Sequence, residues 1–584
     1  MHDTVIRGGT IVDGTGKAGY TGDIALEDGK IVSVGGKAGP GKREVDANGL
    51  LITPGWVDAH THYDGQATWD SELAPSSWHG VTTILFGNCG VGFAPVHKRD
   101  HSALIGLMES IEEIPGVVLD EGLKWNWETF PQYLDALEQQ KRTIDIGAQM
   151  AHHPLRVYVM GDRAINREAA TGDDIAEMRN AVRAGLEAGA FGFTTSRTNS
   201  HKTPTGEMVP SRYSEVDELV GIGMAFKGLG YGAYGVNSDF DDEAEELGWM
   251  TKIAKETGRP VWFLLTDRPN DAERWRRLMA GVHEARSKGA MVTAQIAGRP
   301  VGVMLGIDTA LNPFSIRPSW NDLLKLPAEE RIKRMRDPAF RAKMLAESPS
   351  PDLLKRLSQF RQYITTSWDR MFPMGSPPNY EPAPEESIGA MSARSNRSPD
   401  EIAYDYLATG ADKFLYFPIV GYNGGNHDVI REMLTDDTTI LGLSDGGAHC
   451  SSIVDASVPS WMLIHWGRDR SRGDKLSVES LVQRQTSATA NFFGLKDRGV
   501  LAPGMKADIN VIDHGAICMD APRVVSDLPG GGRRLDQQAH GYRYTLVSGE
   551  VIVKDDQFTG NLPGRVVKGA GAGKTAAALA EGVA

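Results

Sequence analysis

The chain has 584 residues, long enough for one large catalytic body and a smaller companion domain rather than a string of small modules. Its 41% hydrophobic and 24% charged residues are those of an ordinary globular protein, and a net charge of −14 argues against a surface built to hold nucleic acid. Three cysteines exclude a disulfide framework, no apolar run approaches a membrane span, and the amino terminus carries no secretory pattern, so a cytoplasmic protein acting on a small molecule is expected.

The first elements are short alternating runs punctuated by glycine: 4–12 (TVIRGGTIV), 22–26 and 30–34. The same texture returns at 507–513 (ADINVID) and 544–553 (YTLVSGEVIV), which predicts a small β-sandwich domain composed of both termini, residues 1–50 and 496–567. Between them, over 51–495, strand-length apolar runs ending in polar or glycine-rich residues alternate with helical stretches such as 173–188, 214–229 and 271–287. The run of about eight candidate strands predicts an α/β fold, a (β/α)8 TIM-like barrel with function at the carboxyl ends of its strands; an open doubly wound sheet is the alternative. Residues 320–400, a charged helical stretch followed by the Pro-rich MGSPPNYEPAPEES, break this rhythm and predict an insertion that forms a lid or contacts substrate, or else a solvated excursion. The small-residue end, 568–584, reads as a flexible tail, and its GAGAGKT lacks the spacing of a phosphate loop.

Asp58-Ala59-His60-Thr61-His62 follows an apolar run, so two imidazoles at i and i+2 face the same side of a strand end and can reach one ion. Imidazole with carboxylate suits Zn²⁺, with Fe, Mn or Co as alternatives. Cys89 in a glycine-flanked Asn-Cys-Gly ends a second strand, either as a thiolate ligand or as a buried thiol. Asp445, in 444–449 (SDGGAH), ends a late strand, where a carboxylate can bind the metal and exchange a proton with an activated water; the bland alternative is a Ser-Asp-Gly turn.

These segments, TPGWVDAHTH, HGVTTILFGNCGVGFAP, MAHHPLR, SDGGAH and DLPGGGRRLDQQAHGY with GNLPGR, together resemble the N-acyl-D-amino-acid deacylase (D-aminoacylase) branch of the amidohydrolase superfamily, from about residue 3 to 567. The resemblance implies a barrel with a composite β domain, a Zn²⁺ site and hydrolysis of a non-peptide amide bond. It makes His60, His62, Cys89 and Asp445 metal ligands, Asp445 also the general acid/base, and His152 a pocket residue after the third strand. His449 joins it through the SDGGAH segment as a substrate contact. The chain departs from the family where a histidine is expected at the ends of the fifth and sixth strands and a lysine beyond. Asn237 stands at the first and Leu265 or Thr266 at the second, and the lysine is missing. His201 and Lys202, after the fourth strand, are the candidates to enter the pocket instead.

One metal at His60, His62 and Asp445 is therefore expected, with Cys89 completing the tetrahedron or standing beside it, in a hydrolase of small N-acylated substrates. An esterase, lactonase or cyclic-amide hydrolase would use the same carbonyl chemistry, and a non-catalytic scaffold with a decayed site is the rival from another class. Arg468 and Arg470 read as a substrate-carboxylate anchor or as a salt-bridged helix face, Trp368, Trp461 and Trp466 as core, and Cys450 and Cys518 as buried thiols. His427 and His465 have no supporting sequence context.

Overall fold

The computed structural model describes residues 1–351, 359–442 and 444–570; the tail expected over 568–584 lies, from 571 onward, outside the described residues. Eight parallel strands form the central barrel: β1 (Trp56–Asp58), β2 (Val81–Phe86), β3 (Asp145–Ala148, resumed at Met150–Ala151), β4 (Gly192–Arg197), β5 (Ala233–Ser238), β6 (Val261–Leu265), β7 (Val292–Ala297) and β8 (Thr439–Gly442). These are the eight apolar runs of the sequence, and their near-continuous burial is what a sheet covered on both faces requires. The first half of β3 pairs with β2 and the second half with β4, so Gln149 marks a break rather than an end. The ring closes between β8 and β1: the Asp445 N–H donates to the His60 carbonyl at 3.1 Å and the His62 N–H to the Gly446 carbonyl at 2.7 Å. The closing hydrogen bonds thus run through the residues of chemical interest.

Helices pack outside the strands. Gly172–Ala188 starts at a capping box, Thr171 with Asp174, and turns Met178, Val182 and Leu186 inward at helical spacing. Inside the barrel the Trp262 ring lies edge-on to His60 with centroids 6.1 Å apart, giving the site an apolar floor. Gly235 makes room for it, because a Cβ there would stand 2.3 Å from Trp262 Cζ2.

The two chain ends meet in a second, nine-stranded sheet. Ile509–Ile512 pairs antiparallel with Leu51–Pro54, joining five amino-terminal strands to four carboxyl-terminal ones, over a core that includes Ile6, Ile24, Ile52, Ile509, Val511 and Leu546. The Arg498 guanidinium ties this sheet to the barrel, donating to Asp145 at 2.6 Å and to Thr83 at 2.8 Å. The fold is therefore the expected (β/α)8 barrel with a composite β domain from both termini.

Between β7 and β8 the chain makes a long excursion that contains the 320–400 stretch but starts earlier and ends later. Its three-stranded antiparallel sheet uses Gly302–Leu305, Phe372–Pro373 and Leu415–Pro418. Helices such as Pro318–Leu324 and Pro399–Leu407 pack on it around a separate core with Phe314, Trp320, Tyr404 and Phe417. The excursion is a packed body, not a solvated loop.

Candidate active site

His60 and His62 follow β1, Cys89 follows β2 and Asp445 follows β8, so all four arrive at the carboxyl mouth of the barrel. His60 Nε2 lies 3.4 Å from Asp445 Oδ1 and 3.5 Å from Cys89 Sγ, and His62 Nε2 lies 3.6 Å from the same Asp445 oxygen. Both histidines are buried. Among the described residues, His60, His62 and Cys89 form one of two groups whose ligand atoms all lie within 4.8 Å of one another.

The hydrogen bonds around the cluster set its polarity. His60 Nδ1 donates to Gln295 Oε1 at 2.7 Å, on β7, which leaves the Nε2 lone pair facing the carboxylate and the sulfur. Asp58 accepts the His60 backbone N–H at 3.2 Å and also the Ser444 hydroxyl, joining β1 to the residue before Asp445. His62 Nδ1 is buried without a hydrogen-bond partner, 3.5 Å from Glu112 Oε1. Lone pairs, a carboxylate and a thiol pointed at one another in a buried pocket repel unless a cation or protons lie between them. The donor set, two imidazoles with a thiol and a carboxylate, fits a divalent transition metal.

The titration tendencies of the bare site agree. Burial pushes His60 down to about 4 and the Cys89 thiol up to about 11. Burial also works against a charged His62, but Glu112, Asp445 and Cys89 together carry it well above the ordinary imidazole value. Asp445 is raised by burial and lowered more strongly by His62 and His60, so its carboxyl stays below the usual carboxylate range. Three residues here take up the left-handed backbone that side chains seldom adopt: Cys89 at φ 55°, Asp445 at φ 50° and His449 at φ 49°.

A cavity of about 230 Å³ lies over the cluster, lined by His62, Cys89, Asp445, Glu112, Asn237 and His201 among others. It shares His201, Thr266, Arg268, Val301, Val420 and His449 with a larger cleft of about 770 Å³ whose outer wall, Val303, Leu311 and Ile419, belongs to the excursion between β7 and β8 or adjoins it. His201 accepts or donates a hydrogen bond with Ser196 at 2.9 Å, and burial lowers it to about 3, so it is neutral near pH 7. Asn237 Nδ2 donates to Cys89 Sγ at 3.7 Å. Of the sixth-strand pair, Thr266 faces the cavity and Leu265 is packed in the core.

The structure does not bring every expected residue here. His152 heads the helix after β3 with its ring fully buried, 2.7 Å from Thr195 Oγ1 and 3.0 Å from Glu218 Oε1, and it lines neither cavity. Lys202 sits in a bridge with Met208 and does not line them either. Arg470 is buried against Glu381 and Arg468 pairs with Asp469, so neither anchors a ligand in this cleft. Trp461 and Trp466 are core residues, whereas Cys518 is exposed rather than buried.

Two participants were not foreseen. Gln295 lies within β7, in an apolar run that carries no motif. Glu112 ends the helix His101–Glu112, continuing the apolar stripe of Leu104, Leu107, Met108 and Ile111. An acidic residue in such a stripe is the signal that marks it; its Oε2 lies 3.6 Å from His449 Nε2 and its carbonyl accepts the His449 N–H at 2.5 Å.

Known proteins place these features in a family. The D-aminoacylase of Alcaligenes xylosoxydans xylosoxydans is 24% identical over 573 residues, covering 97% of both chains. A solved N-acyl-D-glutamate deacylase from Bordetella bronchiseptica, complexed with zinc and a phosphonate mimic of the tetrahedral intermediate, superposes with TM-score 0.64 at 22% identity over 97% of this chain and 99% of its own. A D-aminoacylase structure described for its binuclear metal centre, with one-metal activation and second-metal attenuation, gives TM-score 0.62 at 21% identity over 97% of this chain and all of its own. No described helix is long and apolar enough to cross a membrane. The amidohydrolase family model matches residues 43–553, and the chain belongs to that family of hydrolases, acting on carbon–nitrogen bonds other than peptide bonds.

Proposed function

We propose that the protein is a metal-dependent deacylase of small N-acylated amino acids that works with a single resident metal. The observation that carries this reading is the convergence of His60, His62, Cys89 and Asp445, four side chains with metal-donor atoms, beneath a cavity. His60, His62 and Asp445 would hold the ion, Zn²⁺ by preference, with Cys89 as a fourth donor. A divalent metal bound there supplies Lewis acidity toward a carbonyl oxygen and lowers the pKa of water toward roughly 7.

The remaining steps belong to the chain. Gln295 holds His60 in the tautomer that presents Nε2, and the Glu112 carboxylate faces His62 Nδ1 at 3.5 Å. Asp445, kept ionised by the two imidazoles, accepts the proton of the attacking water and passes it to the leaving nitrogen. Asn237 and Thr266 line the cavity where the resemblance expects the imidazoles of a second site, and neither is a good ligand for Zn²⁺; this supports one metal rather than two. The apolar wall of the outer cleft suits an acyl chain, and Arg268 at its junction with the inner cavity, paired with Asp239 through one N–H at 3.0 Å, has further N–H groups for a carboxylate. The names of the relatives support an N-acyl-D-amino acid.

The test is a substrate screen. Protein stripped with a chelator and reloaded with one equivalent of Zn²⁺ is offered N-acyl-amino acids of both hands, simple esters, lactones and cyclic amides. Metal-dependent release of amino acids from N-acyl substrates is expected. Turnover of esters or lactones alone would remove the deacylase reading, and no affinity for Zn²⁺ would remove the metal.

A further inference from the structure

A second buried constellation lies outside the barrel mouth. Glu381 comes from the excursion between β7 and β8, His427 immediately precedes the helix Asp428–Leu434, and His465 lies on Met462–Asp469, which winds as a π-helix. π-helical turns are rare and concentrate at functional sites. These three side chains form the other group among the described residues whose ligand atoms lie within 4.8 Å of one another.

The hydrogen bonding leaves one buried lone pair unanswered. His427 Nε2 donates to the Tyr380 carbonyl at 2.9 Å, so Nδ1 carries the lone pair, and it has no hydrogen-bond partner although the residue is 0% exposed. That lone pair faces Glu381 Oε2 at 3.8 Å, an acceptor opposite an acceptor. His465 Nε2 lies 2.8 Å from the same oxygen, its ring stacked on Trp461 at 4.3 Å and 13°. Bonds of about 2.0–2.1 Å in a tetrahedral array separate neighbouring ligand atoms by about 3.4 Å, midway between the two spacings seen here. Arg470 pairs with both Glu381 oxygens, at 3.0 and 3.2 Å, and its charge is shared with Asp428 at 2.7 Å. A carboxylate can bridge an arginine and a metal in this way, the arginine acting as the partner that orients it. A cavity of about 430 Å³, lined by Glu381, His465 and Trp461, opens onto the cluster and provides a path of entry.

We propose that Glu381, His427 and His465 form a second, independent binding site for a divalent transition cation. Two imidazoles and one carboxylate with an open fourth position select a borderline cation such as Zn²⁺ over Ca²⁺ or Mg²⁺. Because its ligands come from the excursion, the start of a barrel helix and the segment after β8, the ion clamps the outer wall of the substrate cleft to the barrel. The site does not rest on the reading of the barrel mouth.

The probe is Zn²⁺ alone, with bound metal counted by elemental analysis after equilibrium dialysis of stripped protein. Wild type should retain one ion per chain more than His465→Ala, whatever the number held at the barrel mouth. In the double variant His60→Ala/His62→Ala, Zn²⁺ should still bind and should raise the melting temperature, and adding His465→Ala should weaken that binding at least about tenfold. His465→Cys, which restores a soft donor, should recover the lost ion in part. Equal metal counts in wild type and His465→Ala overturn the proposal, as does a double variant that binds Zn²⁺ equally well with and without His465. Should the double variant fail to fold, the wild-type comparison decides alone.

Discussion

Gln295 offers the sharpest test of how the barrel mouth works. It touches the site through one atom, the Oε1 that accepts the His60 Nδ1–H at 2.7 Å, in a fully buried setting. Gln295→Leu keeps the bulk and removes the acceptor. An unpaired buried N–H costs about 1–3 kcal/mol. The stripped enzyme can escape that cost by moving the proton to Nε2, toward Asp445 at 3.4 Å, whereas binding a cation at Nε2 restores it. The penalty therefore falls on metal affinity, about 5- to 150-fold when each tenfold is about 1.4 kcal/mol. Competition with a chelator of known strength measures it, and Gln295→Glu, whose carboxylate accepts the same hydrogen bond, should return the affinity to wild type. Unchanged affinity in Gln295→Leu, or the same loss in Gln295→Glu, would refute the tautomer argument.

Asp445→Asn should fold normally, since asparagine tolerates the left-handed backbone at this position, yet lose about 10²–10⁴-fold in kcat; near-normal turnover would remove Asp445 as the proton carrier. Glu218→Gln should destabilise the chain by about 3–5 kcal/mol in urea at pH 7, because it strands the buried Arg156 beside His152. Burial opposes ionisation of Glu218, but His152 and Arg156 outweigh it and hold the carboxyl at about 2. A depressed folded value contributes stability that is complete above the unfolded value, about 4.3, and is lost as pH falls toward 2. Wild type should thus lose about 3 kcal/mol more than Glu218→Gln between pH 6 and pH 2, and parallel pH profiles would contradict this.

The parts of the site that were legible in the sequence are those carried within a few residues. His60 and His62 announce themselves because a strand brings i and i+2 to one face, and Cys89 and Asp445 because glycines flank polar strand ends. Glu112 is not legible because a helix folds it back across the barrel mouth from outside any motif. The fate of His152 was hidden for the same reason: its ring is captured by Glu218, 66 residues further on. Glu381, His427 and His465 are separated by 46 and 38 residues of unremarkable chain, and only the packing of the excursion brings them together. The strands themselves were legible because burial on both faces writes them as apolar runs, while the excursion, which alternates helices with a minimal sheet, offered no repeating period to read.

The left-handed backbone at Cys89, Asp445 and His449 sets stability against chemistry at the barrel mouth. Each such residue costs roughly 1 kcal/mol relative to glycine, and at Asp445 a buried charge is added to that cost. A library selected for heat resistance alone should therefore drift toward glycine at these corners, gaining melting temperature as it discards turnover. Heat selection of that kind would leave a sturdier barrel with an empty mouth, since the corners that strain the backbone are the ones that carry the donor atoms.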